Sequence, residues 1–121
     1  MHNKLIIVLS ILLLAGCGMS PSEIKSQPTA KFESSKSVTD ITTCLIPRLD
    51  ERTFNGVRIN TVSKPIEHGV SLSPIAANIE FIDITNTGAK TQVIYYGAGT
   101  GSTLRPKARI NETVEDINNC I

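Results

Sequence analysis

Ile79-Glu80-Phe81-Ile82-Asp83-Ile84-Thr85, then Asn86-Thr87-Gly88-Ala89, then Thr91-Gln92-Val93-Ile94-Tyr95-Tyr96: this stretch reads as a β-hairpin and decides the class of the fold. Both arms are rich in Ile, Val, Phe and Tyr, side chains that pack well on a half-buried pleated surface. The Asn-Thr-Gly run between them has the short polar and glycine residues that a tight reversal needs. Upstream, Thr53 to Val62 alternates, with Val57, Ile59 and Thr61 on one face, and Val70 to Ser73 is a second short extended piece. Lys64-Pro65-Ile66-Glu67-His68-Gly69 is expected as the turn region between them.

Helical spacing flanks the extended segments on both sides. Val38, Ile41, Leu45 and Leu49 recur three and four apart after Ser37, a helix-capping residue type, with Asp40 three places later in an imperfect capping-box position. Pro47 has no N–H and its ring collides with the carbonyl four residues earlier, so a kink or an end is expected there, with a turn of helix resuming towards Arg52. After Pro106, the spacing of Ile110, Val114, Ile117 and Ile121 predicts a final amphipathic helix. The expected architecture is α+β: a three- or four-stranded antiparallel sheet with an N-terminal and a C-terminal helix packed on one face, spanning residues 37–121.

At the other end of the chain, Lys4 precedes a ten-residue run from Leu5 to Leu14 that is apolar except for Ser10. Ten such residues are too few to cross a bilayer, which takes roughly 20, but suit a secretory signal segment. The run leads into Leu14-Ala15-Gly16-Cys17, which resembles the lipobox of bacterial lipoproteins. That resemblance implies cleavage after residue 16 and acylation of Cys17, which would then be anchored in membrane lipid. In lipoproteins of this kind an Asp after the cysteine marks retention in the inner membrane. Gly18 stands there instead, which implies the outer membrane, with the domain facing the periplasm. Residues 17–36 are polar, contain two prolines and have no sustained period, so they read as a flexible tether. Such a tether would let the domain float at an r.m.s. distance of roughly 24 Å from its anchor. Phe32 is the one large apolar residue near its end and is placed to dock on the domain.

With Cys17 assigned to lipid, Cys44 and Cys120 remain, and two cysteines allow one intramolecular pairing. A Cys44–Cys120 disulfide is therefore expected, linking the first helix to the last. Loss of residues 1–16 removes one of twelve basic residues and none of eleven acidic ones, so the remaining chain carries no net charge. Long-range attraction to nucleic acid is not indicated. The order of a cysteine-bearing helix, a β-meander and a cysteine-bearing terminal helix resembles short lipoproteins of Gram-negative bacteria and their phages, a likeness that implies no activity.

Little in the chain points to catalysis. His68 is the one histidine outside the signal segment, and Glu67-His68-Gly69 reads as a solvated turn; no Gly-x-Ser-x-Gly elbow accompanies it. Metal ligation and a bound cofactor are not expected, because the thiols are otherwise spent and one imidazole remains. Glu80, Asp83, Glu112, Glu115 and Asp116 are acid–base candidates by type, read as charges on solvated faces. Gly97 to Thr103 lacks the spacing of a phosphate-binding loop and reads as a mobile surface loop. Arg105, Lys107 and Arg109 form the densest basic cluster and are the candidate contacts for an acidic partner. The sequence thus favours a non-enzymatic interaction or structural module with an envelope protein as partner. Alternatives are an inhibitor of a secreted enzyme such as lysozyme, inserting the Gly97–Thr103 loop, a carboxylate-dependent envelope enzyme, or a phage or plasmid exclusion factor.

Overall fold

The computed structural model describes residues 19–54, 56–74, 78–103 and 105–121. Cys17 and the apolar run before it lie outside the described residues. The order of elements is a short helix α1 (Pro21–Ile24), strand β1 (Ala30–Ser34), helix α2 (Val38–Asp50), a two-residue pair β2 (Thr53–Phe54) and β3 (Val57–Arg58), strands β4 (Val62–Ile66), β5 (Gly69–Ser73), β6 (Phe81–Asn86) and β7 (Thr91–Tyr96), a 3-10 turn (Ala98–Ser102) and helix α3 (Pro106–Asn118).

The main sheet has five antiparallel strands in the order β1-β7-β6-β5-β4. The β6–β7 hairpin is its centre, with Ile82 opposite Tyr95 and Ile84 opposite Val93. Val70 and Leu72 of β5 continue the same face on one side, and Ala30 and Phe32 of β1 on the other. The α2 residues Ile41, Leu45 and Leu49 and the α3 residue Ile117 close over that face, forming one core with Leu72, Ile82, Ile84, Val93 and Tyr95. Each fully buried aliphatic side chain in this layer stabilises the fold by roughly 1.5–3 kcal/mol.

Local chemistry explains where α2 begins and why it survives a proline. Ser37 caps it, its Oγ accepting from the Asp40 N–H at 3.0 Å. Pro47 removes the donor that would meet the Thr43 carbonyl, but both residues are exposed, so water can take that carbonyl. The helix therefore runs without a break to Asp50, beyond the end or kink expected at Pro47. The Asp50 carboxylate then accepts from the Thr61 N–H at 2.6 Å, tying the loop before β4 to the helix end. Thr53 to Val62, expected as one alternating strand, is instead broken into β2, β3 and a connection.

The class is α+β as expected, with α2 and α3 packed on one face, but the sheet has five strands instead of three or four. The extra strand comes from the segment read as a tether. Residues 30–34 pair with β7 along its full length, and Phe32 packs against the core. Before it, Ser20 caps α1 in a complete capping box with Glu23, and Pro21 occupies the first helical position, where its missing N–H costs nothing. Lys64, Pro65 and Ile66, expected in a turn, belong to β4 instead. Pro65 is tolerated because β4 is an edge strand, which can leave one N–H position unpaired. The reversal is only Glu67-His68. A Cβ on Gly69 would lie 1.8 Å from the Ile84 carbonyl oxygen, so no other residue fits there without displacing β6.

Cys44 and Cys120 form the expected disulfide, with Cα atoms 5.7 Å apart and a sequence separation of 76. It joins α2 to the chain just beyond α3. Replacing both cysteines by alanine is expected to lower the unfolding free energy by about 4 kcal/mol, measured by urea denaturation of the oxidised parent and the double variant.

Candidate functional site

Two polar constellations stand out, one on the open face of the sheet and one within the core. The first lies on the sheet face opposite α2 and α3. Alternation along β4 and β5 brings Val62, Lys64, Ile66, Ser71 and Ser73 to this side, and α1 crosses it. Between α1 and the strands is a cleft of about 300 Å3, bounded by Pro21, Ser22 and Lys25 on one wall and by Val62, Lys64 and Ile66 on the other, with Ser71, Ser73 and Phe81 also lining it.

Lys25 fastens α1 to this face. Its Nζ donates to both carboxylate oxygens of Asp83 at 3.1 Å and to Ser71 Oγ at 3.2 Å, and it lies 4.9 Å from the centre of the Phe81 ring. Ser71 Oγ in turn donates to Asp83 Oδ1 at 2.5 Å. A serine between a lysine and an aspartate has the residue types of a nucleophilic site. Here, however, the ammonium faces the carboxylate, and both converge on one oxygen, so the arrangement acts as a clamp on the entering chain. Burial, and then the Asp83 charge, raise the Tyr96 phenol above its ordinary range on the same face. Ser73, also on the cleft wall, is buried, and its hydroxyl has no hydrogen-bond partner among the described residues.

The second constellation is inside the core. Glu80 is fully buried; it accepts from Arg109 Nη2 at 2.5 Å and from the Tyr95 hydroxyl at 2.6 Å. One turn along α3, Thr113 Oγ1 donates to the Arg109 carbonyl at 3.0 Å and accepts from Arg52 Nη1 at 2.7 Å, while Arg52 Nη2 pairs with Asp116. Two ion pairs linked through Thr113 thus bind α3 to the start of β6 and to the chain just beyond α2, with the Tyr95 hydroxyl adding β7. Desolvation, with Glu80 adding to it, holds the Tyr95 phenol well above its ordinary range.

These contacts correct several readings of the charged residues. Arg109 is no partner contact: it points into the core because it shares a helical face with Thr113 and Ile117, four and eight residues on. Only Arg105 and Lys107 of the basic cluster remain exposed. Glu80 is not solvated, because its position has the parity of Ile82 and Ile84 and so faces the helices. Asp83 and Asp116 are held in ion pairs, whereas Glu112 and Glu115 are exposed. The expected acid–base candidates therefore do not converge.

The glycine-rich segment is likewise no mobile loop. Gly97, Gly99 and Thr100 are buried, Thr100 Oγ1 donates to the Gly97 carbonyl at 2.6 Å, and a Cβ on Gly99 would meet the Ile79 carbonyl oxygen at 2.1 Å. The glycines permit this close packing, while Ala98 and Gly101 stay exposed. His68 is on the exposed turn at φ 61°, with Glu67 Oε1 at 3.5 Å as its ionic neighbour. Among the described residues, no three His, Cys, Asp or Glu side chains gather as a metal site would require, and no helix is long and apolar enough to cross a membrane. Comparison with known proteins finds no match among family models, curated proteins or solved structures.

Removing one partner of the core ion pair strands a buried charge. Glu80→Ala is expected to cost about 3–5 kcal/mol in urea denaturation, and the double change Glu80→Leu with Arg109→Met much less than the sum of the single effects. The Tyr95 phenol keeps its proton in the fold where the unfolded chain loses it near pH 10, so its contribution is complete below that value and fades above it. Stability is expected to fall by up to about 1.4 kcal/mol per pH unit above pH 10, with a shallower fall in Tyr95→Phe. His68→Gly relieves a left-handed backbone and is expected to leave thermal stability unchanged or raise it slightly.

Proposed function

We propose that this chain is a bacterial lipoprotein, acylated at Cys17, held on the outer membrane and facing the periplasm, whose domain acts without catalysis as an interaction or structural module. The observation that carries the reading is the Cys44–Cys120 pairing. A disulfide between the two cysteines of the domain suits an oxidising compartment, and it leaves Cys17, in its lipobox-like setting, as the remaining thiol. The use of Lys25, Asp83, Glu80, Arg109, Arg52 and Asp116 in pairs that fasten elements together favours a structural role for the charged residues over a chemical one. Membrane lipid is the partner at Cys17, and an envelope protein is the partner proposed for the exposed surfaces.

The test is intact-mass analysis of the protein extracted from its own membrane, alkylated before and after reduction. The expected species begins at Cys17, carries two or three acyl chains and takes up two alkyl groups only after reduction. An unmodified Cys17 would overturn the anchor, and two thiols alkylated without reductant would overturn the disulfide.

A further inference from the structure

The folded N-terminal segment changes where the domain stands relative to a lipid anchor. Only Gly18, Met19 and Ser20 separate Cys17 from Pro21, which is already on the wall of the cleft. Four residue steps span at most about 14 Å. The headgroup layer on each side of a bilayer is itself roughly 5–8 Å thick, and unscreened charge reaches about 8–10 Å in physiological salt. A cleft held this close to the anchor is within contact range of the headgroups, whereas a 20-residue tether would have left it free to turn away.

The chemistry of the cleft suits such a neighbour. Val62 is half exposed on one wall, and Met19, also half exposed, lies two residues before Pro21. With Val57, these are the exposed large apolar side chains among the described residues. Lys64 stands exposed between Val62 and Ile66 on the same strand face, with no ion pair among the described residues, unlike Lys25 across the cleft. Ser73 adds a buried hydroxyl that has no hydrogen-bond partner among the described residues. A free cation and an unsatisfied hydroxyl beside apolar walls match a phosphate with an apolar body attached.

We propose that the cleft between α1 and the β4–β5 hairpin binds a phospholipid headgroup of the membrane that holds the anchor, Lys64 and Ser73 taking the phosphate and Val62 and Ile66 the glycerol end. Docking turns the open sheet face towards the bilayer and leaves α2 and α3 facing away from it, available to a protein partner. This inference rests on the acylation of Cys17 proposed above.

The chain contains no tryptophan, so a single one introduced by substitution reports its own surroundings. Val62→Trp at the cleft and Glu112→Trp on exposed α3 are made in the full, membrane-extracted chain. Each is reconstituted into phosphatidylethanolamine–phosphatidylglycerol vesicles carrying brominated acyl chains, with acylation of Cys17 checked by mass on the same sample and the fold by thermal melting. The expected result is at least threefold stronger quenching for Val62→Trp than for Glu112→Trp, and a fall of at least half when Lys64→Glu is added to Val62→Trp. Equal, weak quenching of both reporters on an acylated chain would overturn the docking while leaving the anchor standing. Undiminished quenching with Lys64→Glu would overturn headgroup recognition. A chain with unmodified Cys17 would overturn the anchor and this inference together.

Discussion

The middle strands carry Ile82, Ile84, Val93 and Tyr95 on one side, and that side has to leave water for the sheet to exist. Apolar burial contributes roughly 25 cal/mol per Å2, and a sheet of this size cannot supply a second layer by folding on itself, so the cover must come from helices. Helix α2 provides Ile41, Leu45 and Leu49, and helix α3 provides Ile117. The connections follow from that demand. The disulfide joins the two covering helices, Asp50 holds the loop that returns to β4, and Arg52 reaches across to Asp116 on α3. The polar residues admitted beneath the cover, Glu80 and Arg109, satisfy each other and the Tyr95 hydroxyl. A charge buried there alone would cost several kcal/mol.

The two faces of the sheet consequently have different characters. One is sealed by helices and a disulfide. The other is crossed by α1, fastened through Lys25 to Asp83 and Ser71 and with Ile24 fully buried. The same short segment both completes the sheet, through β1, and sets the length of chain left between Cys17 and the domain. Strand pairing near the N-terminus is therefore more than an addition to the fold. It determines how closely a lipid anchor would hold the domain and which face it would present to the membrane.

Several of these features were legible in the residues. The hairpin at 86–90 has its turn where Asn86-Thr87-Gly88 stand, and Ser37 caps the helix it precedes. The Cys44–Cys120 pairing followed from the cysteine count once the lipobox-like setting had set Cys17 apart. Others were written plainly but are masked by composition. Ser20-Pro21-Ser22-Glu23 is a complete capping box with proline at the first helical position, set in a stretch whose polarity suggests a loop. Glu80 has the parity of Ile82 and Ile84, and Arg109 the helical spacing of Thr113 and Ile117; both positions point inward by period, although charge suggests the reverse.

The sequence by itself determined the central hairpin, helices α2 and α3, the α+β class and the cysteine pairing, because periodicity, caps and cysteine number are properties of neighbouring residues. Tertiary structure decided the rest. Residues 30–34 have weak strand propensity and become a strand only because β7 offers an unpaired edge and the core accepts Phe32. Gly97 to Thr103 looks mobile until Gly99 packs against the Ile79 backbone. Glu80 and Arg109 are 29 residues apart, and no local rule pairs them. Their partnership exists because the folding of α3 over β6 and β7 excludes water from both, and a buried charge then takes the nearest opposite one.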